Sequence, residues 1–312
     1  MTRFIVHRIA QIIPLLILLS VFIFTMMHLA PGSPESFYLT DHYTDEQAEA
    51  VREQLGLNEP PVRQYLTWLG AALRGDFGQT FTYGATVTDV ILARLWPTVQ
   101  LQLLALAVSI VIAVPAGVVS ALRRNSRLDH SITTATLFGL SMPDFWFALL
   151  LMLTFSVHLG WLPAFGTGSD GLFAAPVNLV MPVAVLGLSA VPWYARVVRS
   201  SMLDALSEDY ILTAAAKGLK PSRITIQHAL RIAILPLVTV IGLSMARVLS
   251  GVIVVETIFV WPGLGQLAWE GVIRQDYPVI LGLTIFTAAF VMIFSLIVDI
   301  LYTYIDPRIR YV

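Results

Sequence analysis

The sequence predicts an all-α polytopic membrane protein with six transmembrane helices and a small extramembrane insert after the first of them. Hydrophobic residues make up 57% of the 312 residues and charged residues only 12%, whereas soluble chains carry about 25% charged residues. The mean hydropathy is +0.77. The apolar residues also form separate long runs, each near the ~20 residues that a helix needs to cross ~30 Å of hydrocarbon.

The first apolar run extends from Ile9 to Ala30 and follows Arg3 and Arg8. It is too long for the apolar part of a signal peptide, and no clean small-residue cleavage site follows it. Residues 1–31 are therefore predicted to form a retained first transmembrane helix.

Residues 32–95 form the one sizeable polar region, predicted to be an extracytoplasmic insert. Thr44 with Gln47 is typical of a capping box at a helix start, and Pro60-Pro61 is typical of the start of a second helix. The carboxylates of this region are spread along solvated helix faces, which gives little support to a catalytic role.

Residues 96–312 are predicted to form a helical core with five further spans. The spans are predicted at Thr98–Leu122, Ile132–Leu159, Leu179–Val198, Pro236–Phe259 and Tyr277–Ile305. The second of these is broken by the sequence Ser141-Met142-Pro143-Asp144, because a proline interrupts the hydrogen bonds of a helix.

Basic residues are unevenly distributed between the two sides of the predicted spans. With a cytoplasmic N-terminus, most of them fall on the cytoplasmic side, namely Arg3, Arg8, Arg123, Arg124, Arg127, Arg196, Arg199, Lys217, Lys220, Arg223, Arg231, Arg308 and Arg310. The other side receives Arg52, Arg63, Arg74, Arg94 and Arg274. Such an excess marks cytoplasmic loops, so both termini and the loop 205–236 are predicted to be cytoplasmic.

The loop 205–236 is predicted to contain two short helices joined by a tight bend. Ser207 is a suitable N-cap for the first helix, with Asp209 near its positive end and Lys217 near its negative end. Gly218 is a suitable C-terminal stop, and Pro221 suits the first turn of the second helix.

Both helices carry surfaces that another protein could contact. The first presents a small flat surface of Ala214, Ala215 and Ala216 after Thr213. The second is amphipathic, and its apolar face is predicted to hold Ile226, Leu230, Ile234 and Leu237. Its other face is predicted to hold Arg223, Gln227 and Arg231. Taken alone, the same pattern also fits an ordinary cytoplasmic loop of helical character.

Four ionisable residues fall inside predicted spans, where charge is costly unless it is paired or functional. Asp144 either lines a polar pathway or satisfies amide groups freed by Pro143, and the sequence leaves both open. Glu256 is predicted to hydrogen-bond to a neighbouring helix in preference to contacting a solute. Arg247 lies too far from Glu256 along their common predicted span to pair with it, and Asp299 is predicted to anchor to basic residues.

The sequence lacks the patterns of several enzyme classes. It has no cysteine, which excludes thiolate chemistry, and it has no phosphate-binding glycine loop, no HExxH motif and no Gly-x-Ser-x-Gly motif. No metal site is predicted, and a net charge of −1 without basic blocks gives no indication of a nucleic-acid partner.

A series of ordered motifs runs along nearly the whole chain. They are HLAPGSP at His28–Pro34, GDFGQTF at Gly75–Phe81, TAAAKGL at Thr213–Leu219, HALRIAILPLVT at His228–Thr239, ETIFVWPGLGQL at Glu256–Leu267, QDYPV at Gln275–Val279 and DPRIR at Asp306–Arg310. In these the chain resembles the permease subunits of ATP-binding-cassette (ABC) importers of the dipeptide/oligopeptide/nickel branch.

The resemblance implies a type I ABC importer permease-like fold, and it implies that the loop 205–236 docks into a cleft of an ATPase subunit. Ala214 and Gly218 match the alanine and glycine of that family's loop, but Leu212 and Thr213 stand where its glutamate and next alanine would be. The implied partners are a second permease, two cytoplasmic ATPase subunits that use ATP and magnesium, and an extracytoplasmic substrate-binding protein. No cofactor is implied for this chain itself.

The function implied by the resemblance is uptake of dipeptides or oligopeptides across a bacterial or archaeal cytoplasmic membrane. Nickel chelates and glutathione-like solutes are alternative substrates. The insert and the loop Trp261–Asp276 are expected to dock the binding protein. An ion-driven secondary transporter would require inverted repeats, which are not apparent, and an intramembrane enzyme would require an acid–base or metal set, which is also not apparent.

Overall fold

The computed structural model describes residues 2–29, 49, 53, 58–166, 176–246 and 252–305, and these residues are mainly helical. The helices are α1 (Thr2–Leu29), α2 (Pro61–Ala72), α3 (Val87–Leu122), α4 (Arg127–Ser141), α5 (Asp144–Leu151), α6 (Val177–Leu206), α7 (Asp209–Ala216), α8 (Pro221–Arg223), α9 (Leu230–Ala246), α10 (Ile253–Ile258), α11 (Leu264–Ile273) and α12 (Tyr277–Ile305). Two π-helical segments, Met152–His158 and Ile224–Ala229, directly follow α5 and α8.

Within the described residues, five helical stretches are long and apolar enough to cross a membrane. They are Ala10–Leu29, Val87–Leu122, Val177–Leu206, Pro221–Gly242 and Tyr277–Val298. The helical segments Arg127–Ser141 and Asp144–His158 are bent by 99° relative to each other and make a sixth span if they are counted as one. The predicted break at Ser141–Asp144 is thereby confirmed, and so is the all-α membrane architecture.

The second span begins earlier than the sequence predicts. Helix α3 starts at Val87 instead of Thr98, so residues 87–95, assigned to the insert, form its first turns. Pro97 lies inside the helix, because neighbouring helices and local adjustments can satisfy the backbone groups that a proline frees.

The predicted fifth span, Pro236–Phe259, is wrong at both ends. The apolar helix extends over Pro221–Gly242, and Pro236 lies inside α9 without ending it. Glu256 belongs to the separate short helix α10. The second short helix of the predicted loop is therefore continuous with the helical stretch of this candidate span.

The chain divides into two compact units, Met1–Trp96 with Gly263–Val312 and Pro97–Pro262. In the first unit, α12 packs against both α1 and α11. Helix α2 begins at Pro61 as predicted, and it contacts α1 through a hydrogen bond of 2.8 Å between the Ser20 and Tyr65 hydroxyls. The predicted capping box at Thr44 and Gln47 lies outside the described residues.

The core of the second unit includes several small residues on α3, α6 and α9. Ala113, Ala195 and Ala233 are buried in it. A Cβ atom at Gly117 would lie 2.7 Å from the Ala195 carbonyl oxygen, so the backbones of α3 and α6 approach closely there. Small residues permit such close packing between membrane helices.

Candidate functional site

The segment between α6 and α8 is the candidate site. Helix α6 continues to Leu206, and Ser207 is its C-cap. The Ser207 hydroxyl donates to the Asp204 carbonyl at 2.7 Å. The prediction that Ser207 caps the N-terminus of the next helix is therefore wrong. Glu208 precedes α7 instead, and it makes no side-chain capping bond.

Helix α7 ends as the sequence predicts. Gly218 has φ = 76°, in the left-handed region that glycine adopts most easily. Its N–H donates to the Ala215 carbonyl at 2.9 Å, and the Leu219 N–H donates to the Ala214 carbonyl at 3.3 Å. This pair of bonds is a Schellman motif, with Lys217 as the C-cap, and it fixes the direction in which the chain leaves α7.

The two faces of α7 differ in their surroundings. Ala214 is 6% exposed and packs within the chain, so the predicted flat surface of three alanines is wrong for this position. The exposed residues of α7 are Asp209, Leu212, Thr213, Ala215 and Ala216. Leu212 is 68% exposed, and an apolar side chain therefore stands out from the surface of this helix.

The predicted apolar face packs into the core at three of its four positions: Leu237 is buried, and Leu230 and Ile234 pack against the same cluster. Ile226, predicted to be on the apolar face, is 63% exposed, while Ile224 and Ala229 are buried. The cause is the π-helical segment Ile224–Ala229, whose longer hydrogen-bond spacing shifts the residues after it around the helix axis.

The predicted basic face of this helix is exposed. Pro221 occupies the first turn as predicted, and the Arg223 Nε atom donates to the Gln227 Oε1 atom at 2.8 Å. Arg231 is also exposed. Both arginine side chains are therefore exposed in the isolated chain and accessible to a partner protein.

A buried ion pair, which sequence reasoning missed, lies at the end of α6 that precedes the site. Asp129 is 2% exposed, and its two carboxylate oxygens accept hydrogen bonds from Arg199 Nε and Nη2, each at 2.9 Å. The Ser120 hydroxyl also donates to Asp129, as does the Asn125 N–H at 3.0 Å. The set joins the end of α3, the start of α4 and the last turns of α6.

One local signal could have indicated part of this set. Ser126 caps α4, and its hydroxyl accepts a hydrogen bond from the Asp129 N–H at 3.2 Å. A serine followed three residues later by an acidic residue is typical of a capping box. The pattern does not name Arg199 as the partner.

Three of the four predicted intramembrane polar residues belong to the part of the chain that the structure describes. Glu256 is fully buried and accepts a hydrogen bond from the Thr98 hydroxyl at 2.6 Å, which agrees with the predicted bond to a neighbouring helix. Asp144 is exposed in the first turn of α5, where the N-cap makes no side-chain bond. Asp299 lies on α12, and Arg247 lies outside the described residues.

The predicted loop Trp261–Asp276 contains a helix, α11, which is held by Arg94 of α3 and by Tyr83, which precedes α3. Arg94 Nη1 donates to Gln266 Oε1 at 3.0 Å, and the Tyr83 hydroxyl donates to Glu270. Burial and this bond raise the pKa of Tyr83 to about 12. These contacts fix α11 against the first turns of α3 within the first unit.

Comparison with protein families gives matches along nearly the whole chain. The family model described as "Binding-protein-dependent transport system inner membrane component" matches residues 113–311. The model described as "Binding-prot-dependent transport system membrane comp, N-term" matches residues 1–102.

Several curated proteins are similar over their full length. The chain is 40% identical over 316 residues to the oligopeptide transport system permease protein AppB of Bacillus subtilis, covering 100% of each chain. It is 39% identical over 313 residues to the oligopeptide transport system permease protein OppB of Haemophilus influenzae, again covering 100% of each.

One solved structure has a similar fold. It is described as inward-facing conformations of the MetNI methionine ABC transporter, and the match has a TM-score of 0.59 at 18% identity. The match covers 70% of this chain and 96% of that chain. At this identity the likeness shows a shared fold.

Proposed function

Because the chain belongs to the family of binding-protein-dependent transport system inner membrane components and is a permease of an ABC importer, we propose that the solute it carries is a short peptide. The observation that carries this proposal is the 40% identity, over the full length, to an oligopeptide permease. The peptide assignment extends that relative's stated role to this chain.

The proposed energy source is a pair of ATPase subunits that dock on α7 from the cytoplasm. Two features of the exposed face of α7 support this. Leu212 offers apolar surface, with 68% of it exposed, and Arg223 on the following helix offers positive charge to acidic groups of a partner. Leu212 stands at the position that the resemblance assigns to the glutamate of the importer family's loop, so the contact here is expected to be apolar at that point.

In the proposed mechanism, closure of the ATPase subunits on ATP moves α7, and α7 moves the two spans to which it is connected. The Schellman turn at Gly218 makes the link to the next span stiff. The Asp129–Arg199 pair ties the preceding span to the ends of α3 and α4. ATP, bound by the ATPase subunits, thus shifts the populations of the inward-facing and outward-facing states of the importer, because it binds with different affinity in the two states.

The remaining proposed partners are a second permease, which completes the pathway, and a binding protein on the external side. The features that support docking of the binding protein are the insert and α11. Tyr83 and Arg94 hold α11 through Glu270 and Gln266, which gives a binding protein a surface of fixed shape. The excess of basic residues on one side of the predicted spans supports a cytoplasmic location for both chain termini.

Peptide uptake into proteoliposomes tests the proposal. The importer, purified with its partner subunits, is reconstituted with ATP inside or outside the vesicles, and radiolabelled alanyl-alanine and tetra-alanine are supplied with the binding protein. Uptake is expected only when ATP is available to the ATPase subunits. Uptake driven by an ion gradient without ATP, or no uptake of any short peptide, would contradict it.

The docking surface is tested by Leu212→Arg. This change replaces exposed apolar surface by a charge, and the ATPase subunits are expected to be lost when the tagged chain is purified from membranes. Val62→Arg is the matched control, because Val62 is 71% exposed on α2 and is predicted to lie on the opposite side of the membrane. Retention of the ATPase subunits by Leu212→Arg would show that α7 is not the docking element.

A further inference from the structure

The second unit contains a cavity between three of its membrane-spanning helices. Its volume is about 60 Å³, and it is lined by residues of α3, α6 and α9. A buried water needs about 10–15 Å³ by the same measure, so the cavity has room for about four waters. That space suits one small polar group and not a whole peptide.

The lining of this cavity is polar but uncharged. Gln102 and Ser109 come from α3, Tyr194 from α6 and Ser244 from α9. Among the lining residues that the structure describes, none carries a charge. An ion would find no counter-charge in this lining, so the cavity fits a neutral ligand that forms hydrogen bonds.

Tyr194 gives the cavity an unused donor. Its side chain is 5% exposed, and no hydrogen bond joins its hydroxyl to any residue that the structure describes. A tyrosine in a protein interior normally finds a hydrogen-bond partner for its hydroxyl group. A ligand in the cavity would supply it.

The two serines give the cavity acceptors. The Ser109 hydroxyl donates to the Leu106 carbonyl at 2.7 Å, and the Ser244 hydroxyl donates to the Val240 carbonyl at 2.8 Å. Each serine uses its only hydrogen in that bond, so its oxygen is left to accept. The Tyr194 donor and the two serine acceptors therefore line the same cavity.

We propose that this cavity binds the main-chain amide of the transported peptide, with water in its place when no peptide is present. An amide C=O accepts from the Tyr194 hydroxyl, and an amide N–H donates to a serine oxygen. Because every peptide carries this group, such a site would recognise peptides of different side chains. The proposal rests on the peptide-import function proposed above.

Cysteine accessibility tests whether the cavity is hydrated. The chain contains no cysteine, so Ser109→Cys and Ser244→Cys each introduce a single thiol, which reacts with a methanethiosulfonate reagent as the thiolate. In the purified importer in lipid nanodiscs, both thiols are expected to react at least about tenfold faster than Ala113→Cys and Ala233→Cys, because a thiolate forms only where water reaches it. Ala113 and Ala233 are buried at 0% and 1% in the packed core of the same two helices. Equal, slow reaction at all four positions would overturn the proposal.

Protection of the introduced thiols by bound peptide tests whether the cavity binds a main-chain amide. Glycylglycine at saturating concentration is expected to slow labelling at both serine positions. The matched ligand is 5-aminolevulinate, which has the same two termini but a CH₂ group in place of the amide N–H. It is expected to protect about tenfold more weakly, the usual effect of one lost hydrogen bond. Equal protection by both ligands, or none by glycylglycine, would overturn the amide site.

Tyr194→Phe completes the test, since it keeps the ring and removes the hydroxyl. Protection by glycylglycine is expected to weaken about tenfold while hydration of the cavity persists. Unchanged protection would overturn the role of the donor. Failure of this proposal is distinguishable from failure of peptide import, because ATP-driven uptake of glycylglycine by the unaltered importer is measured in the same preparation.

Discussion

Arg199 binds Asp129 through two parallel hydrogen bonds, from Nε to Oδ1 and from Nη2 to Oδ2, each 2.9 Å long. The Asp129 side chain is almost completely buried, with 3% of it exposed, whereas the Arg199 side chain is 32% exposed. The pair therefore joins the last turns of α6 to the start of α4. Helix α7 begins only a few residues beyond, so this pair stabilises the span through which the movement of α7 is proposed to act.

The first prediction concerns the cost of breaking this pair. Arg199→Met leaves the buried Asp129 carboxylate without its cation, and the free energy of unfolding is expected to fall by about 2–4 kcal/mol. The measurement is the thermal stability of the purified chain in detergent. Arg196→Met is the matched control, because Arg196 is exposed on the same helix and its loss is expected to change stability by less than about 0.5 kcal/mol. Equal effects of the two changes would contradict the prediction.

Local features of the fold could be predicted from the sequence. Helix α12 has the predicted bounds, Tyr277 to Ile305, because its long apolar run leaves no other arrangement in lipid. The stop at Gly218 follows from the need for a left-handed residue at the end of a helix. The break after Ser141 follows from Pro143.

Other features depend on contacts that a local pattern does not contain. Asp129 and Arg199 are 70 positions apart, and nothing in either segment identifies the other. Ile226 is exposed because a π-helical segment shifts the helix around its axis, and a pattern with a constant helical period does not predict such a shift. Pro97 and Pro236 lie inside helices, although a proline is usually taken as a boundary.

The second prediction concerns the close approach of α3 and α6. A Cβ atom at Gly117 would lie 2.7 Å from both the Ala195 carbonyl oxygen and the Val198 Cβ atom. Gly117→Ala is therefore expected to destabilise the chain by about 1–3 kcal/mol, since the helices must move apart. Gly70→Ala is the control. Nothing lies within 4 Å of its Cβ position, and alanine in a helix is expected to stabilise by up to about 1 kcal/mol. Thermal stability that rises in both variants would contradict the close approach.

The third prediction compares two threonines around Glu256. Thr98→Val removes the hydroxyl that donates to Glu256 at 2.6 Å, and a loss of about 1–3 kcal/mol is expected because a fully buried carboxyl group loses a donor. Thr257 is next to Glu256 in sequence, but its buried hydroxyl has no partner in the described part of the chain. Thr257→Val is expected to be neutral or stabilising by about 1 kcal/mol. The measurement is thermal stability in detergent, and a greater loss from Thr257→Val than from Thr98→Val would contradict this assignment.

The fourth prediction concerns Gly218, where the turn after α7 requires a left-handed backbone, φ = 76°. Gly218→Ala meets no atom within 4 Å, so its cost of about 1–2 kcal/mol is conformational. Gly218→Pro also removes the N–H that donates to Ala215, and it is incompatible with the positive φ. We expect this variant to insert into the membrane and to hydrolyse ATP in the assembled importer without peptide uptake, because the link from α7 to the next span is broken.

Gly218→Asn is the control for this prediction, since asparagine tolerates the left-handed region better than other residues with a side chain. It is expected to retain most ATP-coupled uptake. Gly218 is also a cleaner test of coupling than a bulky substitution at Ala214, because Ala214 is buried within the chain and an enlarged side chain there would disturb the packing of α7 itself. Uptake by Gly218→Pro equal to that of the unaltered importer would show that the geometry of this turn does not transmit the movement of the ATPase subunits.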